Sequence, residues 1–254
     1  MAKPQPSKAT GYSREEREQN RNNSNEKATE FSDRARGGFS YEGDGSKQVE
    51  FFDKNSNYNE LIEKMSYRER QAFNDKWVPG EFMRGQQYGG FENMSRSDQE
   101  ATRIYDKILD QSVINKGFVT YRLSTAELVL GAGAKTGSLD DFKAMKGKVV
   151  ISQGNMSTGV AREGLTIGAR TSTSGSGYTK SVEYKIKIPG GMKGAGMWIG
   201  DSRINSHFGT RQREFMTNRD VRYKVGNTRY DATRDVFVVE LTYAGRLPHN
   251  YTHY

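Results

Sequence analysis

The chain has 254 residues, with 39 Lys and Arg against 31 Asp and Glu, a net charge of +8 and no cysteine. The missing cysteines exclude disulfides, thiolate metal sites and cysteine nucleophiles, and no apolar run reaches the roughly 18 residues of a membrane-spanning helix. A third of the residues are hydrophobic, enough for a core, yet the mean hydropathy of −0.88 requires part of the chain to be solvated.

Residues 1–45 are polar, rich in Ser, Asn, Glu, Arg and Gly and almost free of aliphatic side chains. Such a segment cannot bury enough surface to offset chain entropy, so it reads as a disordered tail or delivery segment. It also lacks the apolar stretch of a classical signal peptide. The first fifty residues hold nine Lys or Arg and nine Asp or Glu, so the basic excess lies further on. A basic domain suits anionic partners such as nucleic acid, a dinucleotide or an acidic protein surface; solubility alone explains it equally well.

Residues 46–254 read as one domain. Its section 58–112 is helical: Leu61, Ile62 and Met65 have helical spacing, and Ser66 with Glu69 forms a capping box before Ala72 and Phe73. Ser97 with Glu100 suggests another before Ala101, Ile104, Ile108 and Leu109. From 113 to 245 the pattern is that of strands. "FVTYRL" alternates, "GKVVIS" follows, and "SVEYKIKIP" sets Val182, Tyr184, Ile186 and Ile188 against Glu183, Lys185 and Lys187. "AGMWIG", "VRYKV" and "VFVVELTYAGRL" complete the set. The expected fold class is α+β, with helices first and then a mostly antiparallel, split sheet.

Several chemical motifs fail on inspection. In "GAGAKTGS", Lys135-Thr136 precedes Gly137 rather than following it, so the phosphate-loop template is not met. His249 and His253 are four apart but carry no acidic neighbour in sequence, and read as a solvated tail. No nucleophile elbow is present. Three polar marks remain: Arg122 within an apolar strand, either an edge residue or an anion clamp; Ser157-Thr158 after "KGKVVISQGNM"; and Gln212-Arg213-Glu214 before Phe215-Met216. On a strand, Gln212 and Glu214 would share one side and Arg213 would turn away.

In this order and at these distances the marks resemble the mono-ADP-ribosyltransferases of the Arg/Ser-Thr-Ser/Gln-x-Glu toxin type. That family includes Rho-modifying clostridial exoenzymes, actin-modifying binary toxins and bacteriophage-encoded relatives. Tyr121-Arg122 matches the family's first core strand, and Gly147-Lys148 through Gly154-Asn155-Met156-Ser157-Thr158 its Ser-Thr-Ser block. Lys185 to Ala195 matches its "K-I-x-x-P-x-G-x-K-G-A" segment, and Gln212 to Val225 its carboxylate strand. Gly159 stands where the third residue of the block is usually serine, and Asn155 where an aromatic is usual. Ser172-Thr173-Ser174 is a rival block, better spaced from Glu214 but too close to the next strand for the intervening helix; Ser157-Thr158 is preferred.

The resemblance implies NAD as substrate, no metal, and transfer of ADP-ribose to an acceptor. Glu214 would stabilise the oxocarbenium-like ribose, Arg122 would bind the pyrophosphate, Ser157 would orient Glu214, and Thr158 would support the nicotinamide pocket. Gln212 in place of an acidic residue implies a non-arginine acceptor on a host protein or nucleic acid, with Phe208 contacting the target. The expected partners are NAD and that host macromolecule; a monomer without membrane insertion is expected, acting in a target or host cytoplasm after delivery by phage or a dedicated secretion route. The alternatives are an NAD glycohydrolase and an inactive virion or nucleic-acid-associated protein of the same fold.

Overall fold

A computed structural model describes residues 27–31, 46–76, 86, 90–161, 182–204, 213–249 and 251. Gln212, Phe208, His253 and the rival block Ser172-Thr173-Ser174 lie outside these residues. Helices come first: α1 (Ser46–Asn55), α2 (Tyr58–Lys64), α3 (Tyr67–Lys76) and α4 (Arg96–Leu109). Two short helices, α5 (Glu127–Leu130) and α6 (Leu139–Ala144), sit among the strands. The strands are β1 (Val113–Ile114), β2 (Phe118–Ser124), β3 (Val149–Ser152), β4 (Met156–Gly159), β5 (Val182–Ile188), β6 (Met192–Lys193), β7 (Gly196–Trp198), β8 (Glu214–Thr217), β9 (Val221–Asp231) and β10 (Val236–Arg246).

Eight strands form one sheet in the order β3-β9-β10-β5-β2-β4-β8-β7, and β1 pairs with β6 apart from it. Within the large sheet only β10 and β5 run parallel; the remaining pairings are antiparallel, so the α+β expectation holds. The ladder between β2 and β4 is a single pair, Tyr121 opposite Gly159. The sheet is therefore nearly divided there, β2 leaning on β5 along its whole length.

Alternation does the sorting. Val182, Tyr184, Ile186 and Ile188 are all buried, as are Val221, Tyr223 and Val225. Leu61, Ile62, Met65, Phe73, Ala101, Ile108 and Leu109 pack the helices onto this core. The capping box of Ser66 and Glu69 is present. Helix α4 begins earlier than its sequence suggested: Ser95, not Ser97, is the cap and accepts from the Asp98 N–H. Helix α1 was not anticipated, because "VEFF" inside a charged segment lacks a repeating apolar stripe. Its Phe52 stacks on Trp198 at 4.8 Å and meets Phe118 at 5.1 Å, closing an aromatic cluster with Phe215. Gly196 (φ 147°) permits β7 to approach β8: a Cβ there would lie 2.2 Å from the Met216 carbonyl oxygen.

Two segments depart from the solvated behaviour expected of them. Lys27–Phe31 fall within the stretch read as tail, yet Thr29 and Phe31 bridge to the sheet region at Phe118 and Ala161. Near the other end, His249 is buried rather than solvated. Its Nε2 lies 2.9 Å from Asp110 and its Nδ1 3.2 Å from Asp220. Arg219 grips Asp106 through Nε and Nη2 and also pairs with Asp220. Arg246 pairs with Asp110 and lies 3.2 Å from His249 Nε2, and Tyr251 donates to Asp106. The carboxylates come from α4 and the turn before β9, contacts that are invisible to local sequence.

Three carboxylates against two guanidiniums leave one negative charge, which a protonated His249 balances. Burial alone would lower the His249 pKa, but the hydrogen bonds its ring donates to Asp110 and Asp220 and the Asp106 charge raise it overall. A folded-state pKa above the unfolded value of about 6.5 stabilises the fold fully below that value, and the gain is lost as pH rises through the raised one. The melting temperature should therefore fall as pH climbs from mildly acidic to mildly alkaline. His249→Gln should lower the acidic-side melting temperature and flatten the fall. A fall equally steep in the variant would remove His249 as its cause.

Candidate active site

Arg122 lies on β2, between β5 and β4 in the sheet interior, which eliminates the edge-strand explanation for an arginine in an apolar strand. It shares a face with Phe118 and Thr120, both fully buried. Its Nη1 donates to the Ser157 carbonyl at 2.7 Å. The guanidinium thus fastens β2 to β4 one residue from their single ladder pair.

Glu214 is the first residue of β8. Arg213 before it has φ 46°, a left-handed conformation that costs a non-glycine residue roughly 1–2 kcal/mol. Extended alternation therefore starts at Glu214, and strand parity no longer relates it to Gln212. Arg213 is itself buried, and desolvation pulls its pKa down. The Glu214 carboxyl is buried, and its Oε2 has no hydrogen-bond partner. Burial pushes its pKa well above the ordinary carboxylate range, while the nearby Arg122 charge pulls the other way. A positive charge and an unsatisfied acid thus stand together in a desolvated place, a pattern common to functional sites.

The preferred hydroxyl block divides by strand alternation. Ser157 lies opposite Met216, Thr158 opposite Phe215, and Gly159 opposite Glu214. Ser157, Gly159 and Glu214 therefore share one face, and Thr158 lies on the other. Ser157 is half-buried and reaches Arg122 through its carbonyl. Thr158 is buried; its hydroxyl donates to the Phe215 carbonyl at 2.7 Å and lies 2.6 Å from the Thr120 hydroxyl. Those bonds pin β4 to its neighbours inside the core. Asn155, in the place usually held by an aromatic, donates to the Thr217 carbonyl and extends this pinning. Arg122 alternates onto the Thr120 and Thr158 face, so it joins Ser157 and Glu214 not by sharing their face but through the Ser157 carbonyl and its charge.

Residues directly opposed across antiparallel strands have Cβ atoms about 4.5–5.5 Å apart. The position facing Glu214 is Gly159, so no side chain is available there to bond the carboxyl. Tyr223 is another buried group beside this site: its hydroxyl lacks a hydrogen-bond partner of good geometry, burial raises its pKa, and Thr217 and Arg122 oppose that rise. It was unrecognised in sequence because Tyr in "VRYKV" reads as ordinary strand filler. Among the described residues no cluster of three or more metal-ligand side chains occurs, and no helix is long and apolar enough to cross a membrane.

A carboxyl whose folded pKa is raised destabilises the fold progressively as pH increases. Glu214→Gln should therefore melt at a higher temperature than wild type at neutral and alkaline pH, the two converging in acid. Gly159→Ser places a hydroxyl across from Glu214 and should lower its titration midpoint, read as the loss of the protonated-carboxyl infrared band. An unchanged midpoint in a folded Gly159→Ser variant would mean that the missing hydroxyl is not what leaves Glu214 unsatisfied.

Comparison with known proteins identifies the family and the fold. The family model described as ADP-ribosyltransferase exoenzyme matches residues 82–243. No curated protein matches the chain by sequence. Among solved structures, C3stau2 from S. aureus, determined with NAD, is 16% identical with a TM-score of 0.58, covering 87% of this chain and 100% of its own. The Clostridium limosum C3 exoenzyme is 14% identical with a TM-score of 0.60, covering 86% and 98%. BECa, an ADP-ribosylating toxin of C. perfringens solved with NADH, is 17% identical with a TM-score of 0.59; the match covers 81% of this chain and 49% of BECa. The chain belongs to the ADP-ribosyltransferase exoenzyme family and shares the fold of these toxins.

Proposed function

We propose that this transferase moves ADP-ribose from NAD to a non-arginine acceptor on a host macromolecule, most simply a protein, with Glu214 and Arg122 at the reacting centre. The observation that carries the assignment is the pairing of a buried, unsatisfied carboxyl with the Arg122 charge. In the reaction the bond between nicotinamide and ribose breaks with its electron pair going to nicotinamide, which leaves neutral. Positive charge develops on the ribose and meets Glu214. A carboxylate there stabilises the transition state more than the ground state. The approaching cation also favours the ionised form of Glu214, so NAD binding and loss of the Glu214 proton are coupled. Arg122 offers a planar, bidentate fork for the pyrophosphate. Ser157 orients Glu214 from the same strand face, and Thr158 backs the pocket. The acceptor then bonds to the ribose carbon and releases a proton.

Gln212 is assigned to acceptor choice. A neutral amide bonds an amide, a hydroxyl or a base edge, whereas a carboxylate at that position would favour a guanidinium. The setting we favour is the cytoplasm of a cell other than the one that makes the protein, as for a toxin, effector or phage-borne modifier. The deciding experiment incubates the protein with labelled NAD and host lysate, then treats the product with protease or nuclease. Label removed by protease identifies a protein acceptor, and label removed by nuclease a nucleic acid. Nicotinamide release without any labelling would overturn transfer in favour of hydrolysis.

Glu214→Gln should slow nicotinamide release about a hundred- to a thousandfold, corresponding to about 3–4 kcal/mol of lost stabilisation. Near wild-type turnover would remove Glu214 from the reacting centre. Arg122→Lys should weaken NAD binding, because a point charge cannot replace a fork; calorimetric titration with NAD measures it. Gln212→Glu should redirect or abolish labelling of the natural acceptor while sparing nicotinamide release. Parallel loss of both activities would move Gln212 into the NAD site, and unchanged labelling would end its role in acceptor choice.

A further inference from the structure

The near-division of the sheet between β2 and β4 is occupied on both sides by a piece of the polar N-terminal segment. The Thr29 N–H donates to the Gly117 carbonyl at 2.8 Å, and the Val119 N–H donates to the Thr29 carbonyl at 2.9 Å. Thr29 therefore pairs with the start of β2. Two residues later, Phe31 bridges to Ala161, just beyond the end of β4. The Phe31 ring packs edge-on against Phe51 of α1 at 5.3 Å, and Phe51 in turn meets Phe118 of β2 at 6.1 Å.

Between these anchors, Glu30 does something more specific. Its Oε2 accepts from the Tyr121 hydroxyl at 3.2 Å, and its Oε1 pairs with Lys185 at 2.7 Å. Lys185 and Tyr121 are directly opposed across β5 and β2. Tyr121 is opposed by Gly159, and Gly159 by Glu214. One cross-strand row, Lys185–Tyr121–Gly159–Glu214, thus runs over four strands on one face. Glu30 clamps its first two members and Glu214 is its last. Tyr121 also immediately precedes Arg122.

We propose that Lys27–Phe31 are a working part of the site: a positioning segment that sets where β2 presents Tyr121 and Arg122 against β4. The segment touches no reacting atom; it acts through Tyr121 and the β2 backbone. β2 has one ladder pair to β4, and side-chain ties also cross the seam, from Thr120 to the Thr158 hydroxyl and Gly159 carbonyl and from Arg122 to the Ser157 carbonyl. The proposal rests on the assignment of Arg122 and Glu214 to the NAD site. It assigns function to residues that composition alone would discard with the tail.

The test uses full-length protein. Thr29→Pro removes the N–H that bonds Gly117, while Thr29→Ala keeps it. Glu30→Ala removes both contacts of the carboxylate, and Glu30→Gln keeps an acceptor for Tyr121. Two quantities are read: hydrogen exchange at the Val119 amide, and the kinetics of nicotinamide release from NAD. Thr29→Pro should speed Val119 exchange and raise KM for NAD about tenfold, in keeping with loss of one to two backbone hydrogen bonds. Thr29→Ala should match wild type. Glu30→Ala should raise KM with an unchanged melting temperature, and Glu30→Gln should restore most of the loss. Wild-type KM and kcat in Glu30→Ala would overturn the proposal even if Thr29→Pro fails to fold. If wild type itself releases no nicotinamide, the NAD assignment falls and the segment's proposed role falls with it. An active wild type with unaffected variants overturns only the role of the segment.

Discussion

The hydrogen bond from Arg122 to the Ser157 carbonyl holds together two halves of a sheet that backbone pairing scarcely joins. β2 and β4 share a single ladder pair, and the residues proposed for the chemistry lie on or next to that seam. A guanidinium is well suited to the place. It is charged at any working pH, it presents several donors at once, and only one of them is needed to satisfy the carbonyl. The same side chain that closes the seam also places its charge near Glu214. The acid responds to that charge, and its own burial holds it towards the protonated form.

Much of this was legible in the sequence, for reasons that are physical. Alternation of apolar side chains along "SVEYKIKIP" and "VRYKV" specifies a buried face, and helical spacing of Leu61, Ile62 and Met65 specifies an apolar stripe; both are local signals. The chemical signals were local too: Arg122 within an apolar strand and a carboxylate heading a strand are conspicuous because burial makes them costly. What stayed hidden depends on partners distant in the chain. Phe52 has no stripe to announce α1, and its importance comes from Trp198. His249 looks like a tail residue until α4 brings Asp106 and Asp110 to it. Arg213 reads as one more strand residue, but its left-handed backbone ends the alternation that would have tied Gln212 to Glu214. Gly159 was recognised as a departure from the family pattern, and only the register shows that it faces Glu214.

The two polar ends of the described chain are ordered by unlike means. Thr29 joins by main-chain hydrogen bonds and Glu30 by one ion pair and one hydroxyl, on a partly exposed face. His249 and the part-exposed Tyr251 join a network centred on the buried Asp106, Arg219 and Asp220, in which every charge has an opposite neighbour. Breaking one member of such a buried set leaves an uncompensated charge and costs about 3–5 kcal/mol, whereas exposed pairs contribute about 0–1 kcal/mol. Composition treats both stretches alike as hydrophilic, and it is the burial of the partners that separates them.

The strand order also governs when the site comes into being. β2 lies between strands from the middle of the chain, β5 depends on β10 for its second edge, and β3 has β9 as its only neighbour in the sheet. These pairings join residues far apart in sequence, the kind of contact whose loop-closure entropy slows folding. A chain emerging from the ribosome carries Arg122 and Ser157 long before it carries Glu214, and Glu214 before the β10 strand that supports β5. The groups proposed for NAD chemistry therefore meet only through pairings between distant stretches of chain, Arg122 on β2, Ser157 on β4 and Glu214 on β8.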